Sequence, residues 1–365
     1  MKHWLETRQV LDRLAQLHNE GKRAALATVV RVRGSAYRHE GAKMLVAEDG
    51  TTVGNVSGGC LEADVREVAR QVINVGLPQM RSYCAGTDEV SAWDLGVGCE
   101  GQVEVFIERT LDARRRGRAL LDEYAPFAVC TLLSVGPEDA RGRRLVVTAF
   151  GNEGGLMTPA FDGQVSALAS SLLENGVGGI HRIGDHDVFV DVFTPPPRLV
   201  VVSAGDDARC LARLAAEVGF RVVVVDRRPA LLSPERFPPG VRLIEADAEA
   251  VLERLGIGED AYGVVMTHSY ADDREYARAL LTTRMPYIGL LGPRQRTARL
   301  LRELSASGAG VDERRIYGPV GLDIGTDGAE QVALAVVGEI LAVRSGRRPA
   351  SLRERPTPIH AVPAD

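Results

Sequence analysis

No stretch of this 365-residue chain approaches the run of about eighteen apolar residues that a membrane-spanning helix needs, so no membrane partner is expected. The start carries no apolar signal core either; residues 4–17 repeat apolar side chains at helical spacing, which predicts a helix and no signal peptide. CxxC pairs are missing. The five cysteines stand apart at 60, 84, 99, 130 and 210, an odd and dispersed set that fits the reduced thiols of a cytoplasmic protein, most of them small core fillers. There is no excess of positive charge: 44 basic residues against 49 acidic give a net charge of -5, which argues against nucleic acid. The run Arg114-Arg115-Arg116 accordingly reads as a solvated helix face. Neither a Walker motif, a paired-carboxylate arrangement nor a Ser-His-Asp pattern is present.

The length suits two or three domains, each able to bury a core. Strands are expected at Ala24–Arg31 and Ala42–Ala47, then a break at Gly58-Gly59, an amphipathic helix over Leu61–Val75 and a strand at Val103–Glu108. The pattern recurs, with Phe127–Ser134 beside Ala24–Arg31, Arg144–Phe150 beside Ala42–Ala47, a short helix at Ala167–Leu173, and Val188–Phe193 beside Val103–Glu108. Residues 1–194 therefore read as an α+β domain with a degenerate internal duplication, its sub-units 1–124 and 125–194. The glycine- and cysteine-rich loops belong to the first copy only.

Pro195-Pro196-Pro197-Arg198 is a linker, since consecutive prolines remove donors and stiffen the chain. Strands and helices then alternate through 199–344, the pattern of a Rossmann-like, largely parallel sheet covered by helices on both faces. The whole is an α/β chain. Residues 345–365, with several prolines and arginines, are expected to be disordered.

Two constellations carry chemistry. In the first domain a basic loop holding Arg33, Arg38 and Lys43 is followed by Ser57-Gly58-Gly59-Cys60-Leu61-Glu62, where the glycines allow close backbone approach and a cysteine meets a helix start. That suits a phosphorylated, sulfur-bearing or metal-bearing small molecule; the competing reading is that Cys60 packs under the helix. A second loop cysteine, Cys99, lies in Gly98-Cys99-Glu100-Gly101. In the second domain Gly205 and Asp226 stand at dinucleotide spacing, but Ser203 replaces the first glycine, and Asp206 and Asp207 occupy the pyrophosphate turn, which disfavours NAD(P). His268 directly follows a strand. It is read as a crevice residue, or as a helix cap or core hydrogen-bonding group.

Taken together, Gly34-Ser35, Arg38, Gly41-Ala42-Lys43-Met44, Gly54, Gly58-Gly59-Cys60-Leu61-Glu62 and Gly98-Cys99, with Ser203-Ala204-Gly205-Asp206-Asp207-Ala208, Val225-Asp226-Arg227-Arg228-Pro229, Thr267-His268 and Pro319-Val320-Gly321-Leu322-Asp323-Ile324-Gly325, resemble the XdhC/CoxI accessory proteins of molybdenum hydroxylases. The resemblance spans nearly all of the folded chain. It implies a chaperone that binds molybdenum cofactor (molybdopterin) as cargo, protects it during sulfuration with a cysteine desulfurase, and inserts it into a xanthine dehydrogenase-type hydroxylase. On that reading Cys60 meets the metal–sulfur end, and Arg33, Arg38 and Lys43 lie near the phosphate. Ser57, Gly58, Gly59, Glu62, Cys99, Gly205, Asp206, Asp226 and His268 complete the expected site. The sequence departs from many relatives in Glu100, where they carry glycine, and in Asp206, where they carry histidine. An NAD(P)-dependent oxidoreductase and a non-catalytic adaptor are the alternatives. A homodimer is expected, with Cys60 and His268 facing a shared cleft.

Overall fold

The computed structural model describes residues 2–34, 36–84, 102–110, 115–133, 141–256, 261–308 and 310–354. Cys99 and Ser35 lie outside the described residues, as does the end of the expected tail, 355–365. The chain divides into two compact units, 1–195 and 196–365. Among the described residues no helix is long and apolar enough to cross a membrane.

The first unit opens with helix α1 (Lys2–Asn19), then β1 (Ala24–Arg33), β2 (Lys43–Ala47), β3 (Thr52–Gly54), α2 (Glu62–Val75), β4 (Gln79–Cys84) and β5 (Gln102–Arg109). A connecting helix, α3 (Arg115–Glu123), leads to β6 (Phe127–Leu132), β7 (Arg144–Thr148), β8 (Gly151–Gly154), α4 (Pro159–Asn175), β9 (Gly179–Ile183) and β10 (His186–Phe193). The strands form two antiparallel sheets in the same order, β3-β2-β1-β5-β4 and β8-β7-β6-β10-β9. The first unit thus holds two copies of one arrangement.

Details of the two copies agree. Gly54 and Gly154 both adopt positive φ (80° and 88°), and a Cβ on either would lie 2.3 or 2.4 Å from the carbonyl oxygen of Lys43 or Arg144, so only glycine fits. Thr28 pairs with Lys43 and Phe106, and Thr131 with Arg144 and Phe189. The last strands therefore align with Phe106 matching Phe189 and Glu108 matching Asp191, two residues away from the alignment the sequence suggests.

Alternation along the strands sorts the core. Ala25, Ala27, Val29, Met44, Val46, Val105 and Ile107 face α2, whose buried positions Val65, Val68, Ala69, Val72 and Ile73 follow helical spacing. Leu26, Thr28, Lys43, Phe106 and Glu108 face the other way, toward the second sheet and α1. Charged residues bridge the two sheets reciprocally: Lys43 Nζ donates to Asp191 Oδ2 at 2.5 Å, and Arg144 donates to Glu108. Each copy gives one cation and one carboxylate, the self-complementary pattern of a two-fold contact inside a single chain.

The second unit holds β11 (Arg198–Val202), α5 (Asp206–Glu217), β12 (Arg221–Asp226), β13 (Arg242–Glu245), α6 (Val251–Leu255), β14 (Ala261–Val265), α7 (Tyr270–Leu281), β15 (Ile288–Leu290), α8 (Arg294–Ala306), β16 (Ile316–Tyr317) and α9 (Ala329–Ser345). Its all-parallel order, β13-β12-β11-β14-β15-β16, is that of the Rossmann fold and puts the strand reversal between β11 and β14. The short strands are valine-rich and buried on both faces, as helix-covered parallel strands must be. Beyond α9, Leu352–Glu354 form a single 3-10 turn.

Candidate functional site

The loop from β3 to α2 is built around two side chains. Glu62 Oε1 accepts from the N–H groups of Val56 (3.2 Å) and Ser57 (2.8 Å), while the Ser57 hydroxyl donates to Oε2. Ser57 Oγ in turn accepts from the N–H groups of Gly59 and Leu61, each at 3.1 Å. Burial works against the Glu62 charge, but the hydrogen bonds from Ser57 and from the backbone outweigh it and hold the carboxyl below its ordinary value. Ser57 and Glu62 thus fix the shape of the loop. Gly58, Gly59 and Cys60 form its outer turn: Gly59 has φ 123°, and Cys60 is half-buried. Among the described residues, the N–H groups of Gly58 and Cys60 have no acceptor. The result is a partly open thiol beside backbone donors at the start of α2.

The same loop in the second copy takes another course. Asp162 Oδ1 accepts from Leu156 and Met157 N–H, matching Glu62. But Thr158 caps α4 through Phe161 N–H, Pro159 occupies its first turn, and the helix begins three residues earlier in register than α2. Where copy two has Thr158-Pro159-Ala160 in a capped helical turn, copy one has Gly58-Gly59-Cys60 unwound.

Of the expected basic residues, Arg33 is exposed at the end of β1. Arg38 pairs with Glu6 of α1, one bond at 3.2 Å, and is nearly buried. Lys43 is engaged by Asp191 and the Gly41 carbonyl, on the sheet face away from α2. The sequence reading missed Tyr37. It is 69% exposed, and its ring lies against Gly58, 3.5 Å from where a Cβ would stand, which puts an aromatic beside the cysteine turn. An aromatic inside a glycine- and charge-rich loop was the available signal.

The other thiols are of different kinds. Cys130 is fully buried on β6; burial, with the Asp191 charge adding to it, pushes its thiol up to about 12. Cys210 on α5 reaches Glu330 at 3.5 Å, and burial first, then that carboxylate, raises it. Among the described residues no three His, Cys, Asp or Glu side chains are grouped to hold a metal ion.

In the second unit the strand reversal gathers Ser203, Gly205, Asp207 and His268. Ser203 is buried with φ 145°, the glycine-favoured region its place in the fingerprint demands, and its Oγ accepts from Gly205 N–H at 3.1 Å. His268 also has positive φ, 61°, and its Nε2 lies 3.2 Å from Asp207 Oδ2. Two non-glycine residues at positive φ thus stand at one switch point. Asp206 turns aside to Arg209 and Arg236. Asp226 is saturated: Oδ2 accepts from Ala204 N–H (2.8 Å) and Arg228 Nη2, and Oδ1 accepts from Arg228 N–H and Nε. Burial opposes its charge, yet the Arg228 and backbone bonds hold it below the usual carboxylate range. Cys60 belongs to the first unit and His268 to the second.

Comparison with known proteins agrees with this architecture. Residues 17–84 match the model of the XdhC and CoxI family, and residues 199–340 match the XdhC Rossmann domain. Over 337 residues the chain is 33% identical to a probable xanthine dehydrogenase subunit from Bacillus subtilis (strain 168), covering 92% of this chain and 96% of that protein. It is 27% identical over 328 residues to the molybdenum cofactor insertion chaperone PaoD of Escherichia coli (strain K12), covering 89% and 84%. A crystal structure described as a xanthine dehydrogenase from Bacillus halodurans matches with a TM-score of 0.75 at 28% identity, over 94% of this chain and 97% of that one. With both of its units matched and a relative of this identity aligned over almost its full length, the chain belongs to the XdhC and CoxI family.

Proposed function

We propose that this protein handles molybdenum cofactor during maturation of a xanthine dehydrogenase-type hydroxylase. More specifically, it acts as a chaperone that carries the cofactor, supports its sulfuration with a cysteine desulfurase, and delivers it to the hydroxylase. The observation that carries this reading is the difference between the two copies. Both use a carboxylate, Glu62 or Asp162, to clamp the turn before the helix, but only the first copy omits the Thr-Pro cap and unwinds. A core-filling cysteine needs no such change. A thiol that must meet a ligand does, and the unwound turn also frees two N–H groups for negative charge.

On this reading Cys60 contacts the metal–sulfur end of the cargo, and Arg33 and the free N–H groups meet its anionic parts. The cargo supplies a dithiolene-bound metal and a phosphate; the chain supplies a shaped, partly shielded thiol. Arg38 and Lys43 would have to leave Glu6 and Asp191 to contribute, so they are assigned to holding the fold. The test uses the full chain mixed with cofactor freshly released from a purified molybdoenzyme, then with apo-hydroxylase. Retention of cofactor and activation of the hydroxylase are expected, both reduced in Cys60→Ala with the unfolding midpoint unchanged. A wild-type protein that neither retains the cofactor nor raises activation overturns the proposal.

A dinucleotide reading draws on the sheet order and the Gly205–Asp226 spacing. Against it, the carboxylate that would take a ribose hydroxyl is already filled by Arg228 and Ala204. No saturable calorimetric binding of NAD(H) or NADP(H) is expected, and micromolar binding would restore this reading.

A further inference from the structure

Between the two sheets of the first unit lies a cavity of about 160 Å³. It is on the sheet face opposite α2, so it is separate from the cysteine turn. Two threonines related by the duplication, Thr28 on β1 and Thr131 on β6, line it at 6% and 5% exposure. Among the described residues neither hydroxyl has a hydrogen-bond partner. Two hydroxyls at equivalent positions on the wall of one void are a matched pair of unused hydrogen-bonding groups. The walls include Phe106, Phe127, Phe189 and Phe193, the second and fourth stacked at 4.5 Å.

The bordering charges cancel: Lys43 meets Asp191, and Arg144 meets Glu108. Such a space favours a neutral guest over an ion. An apolar protein cavity of about 150 Å³ accommodates benzene, so the size suits one aromatic ring or a compact fused pair. Glu153 and Gly154 both line the void and are exposed, so it opens along β8.

We propose that this inter-repeat cavity is a second ligand site, taking a neutral, flat heteroaromatic molecule of nucleobase size whose edge groups hydrogen-bond Thr28 and Thr131. A hydroxyl both donates and accepts, so the pair reads a ring edge carrying either function. The phenyl walls supply the faces on which such a ring packs.

Calorimetry on the full chain tests it, with uracil and hypoxanthine as polar-edged probes and toluene as an apolar one. Saturable binding of a polar-edged probe is expected, with a raised unfolding midpoint in tryptophan fluorescence. Thr28→Val and Thr131→Val should each weaken it about tenfold, the loss of one hydrogen bond. Should either substitution prevent folding, Val146→Phe, which fills the void from β7, must abolish binding while preserving the midpoint. Cys60→Ala must leave it unchanged, which separates this site from the cofactor reading. Failure of both polar probes to bind, or binding of toluene equal to theirs and indifferent to the threonines, overturns the proposal and leaves a void filled by water or by nothing.

Discussion

Removing one member of a buried ion pair is far worse than removing both, and the contact between the repeats offers two such pairs for comparison. Lys43 and Asp191 have side chains only 10% and 9% exposed, and Asp191 lies on β10 against Val129 of β6. Lys43→Met keeps the length of the side chain but leaves a carboxylate in a phenyl-walled space. The expected cost is roughly 3–5 kcal/mol, the usual penalty for an uncompensated buried charge. Lys43→Met/Asp191→Leu should recover most of it, because no charge then needs a partner. Both tryptophans, Trp4 and Trp93, lie in the first unit, so tryptophan fluorescence follows its unfolding in urea without interference from the second. With a slope of about 2.5 kcal/mol per molar urea, the single substitution moves the midpoint down by about 1–2 M. Arg144→Met and its double with Glu108→Leu repeat the comparison at the matching position. A single variant that loses less than about 1 kcal/mol, or a double that is as unstable as the single, would falsify the view that these charges are buried against each other.

Four further outcomes are expected. Asp226→Asn should cost the second unit about 2–3 kcal/mol, the worth of hydrogen bonds to a charged group, read as faster hydrogen exchange along β12. Because the Asp226 and Glu62 carboxyls are both held below their ordinary values, the stability they confer is complete above the ordinary carboxylate range. It is lost as pH falls through their depressed folded values, so denaturation midpoints should be flat from pH 7 to about 5 and fall below about 4. His268→Gly should stabilise the second unit by about 1 kcal/mol, since relief of φ 61° outweighs an exposed pair with Asp207, and a lower melting temperature would show the pair to be the stronger term. Finally, Gly58→Thr/Gly59→Pro copies the cap of α4 into α2; it should raise stability by about 1 kcal/mol while suppressing cofactor transfer as strongly as Cys60→Ala, and undiminished transfer would show that the unwound turn is dispensable.

The strongly periodic elements were legible in the sequence. Leu61–Val75 carries its buried residues at helical spacing, the valine runs from Leu199 onward announce helix-covered strands, and the triple proline marks the join between units. The duplication was legible from the strands, although its last strands align two residues from the expected place. The edge strands β3, β4, β8 and β9 escaped, because short, half-exposed strands carry too few apolar residues to alternate visibly. Helix α4 starts eight residues before the expected Ala167, since its first turn is fixed by Thr158 and Pro159 more than by apolar spacing. At the site, residue type alone could not tell a ligand-facing cation from a structural one. Arg38 and Lys43 sit in the same basic loop region as Arg33, and only tertiary contacts with Glu6 and Asp191 separate them.

Duplication explains why one chain combines a rigid frame with an uncapped turn. The two sheets bury their inner faces on each other, and their reciprocal ion pairs fix the register of that contact from both sides. The sheet contact therefore stands apart from the turn before α2, and that turn can lack a cap at a modest local cost without loosening the sheet beneath it. The second copy keeps the capped form, with Ala160 where the first has Cys60. The same division recurs on the helix-covered face: Ala27 of β1 matches Cys130 of β6, whose thiol is buried and held protonated, so Cys130 and Cys60 stand in opposite environments. Cys130 is sealed in the core beneath α4, whereas Cys60 stands on an unwound turn beside two N–H groups that have no acceptor among the described residues. A repeat freed from holding the fold at that one point can hold a ligand there instead.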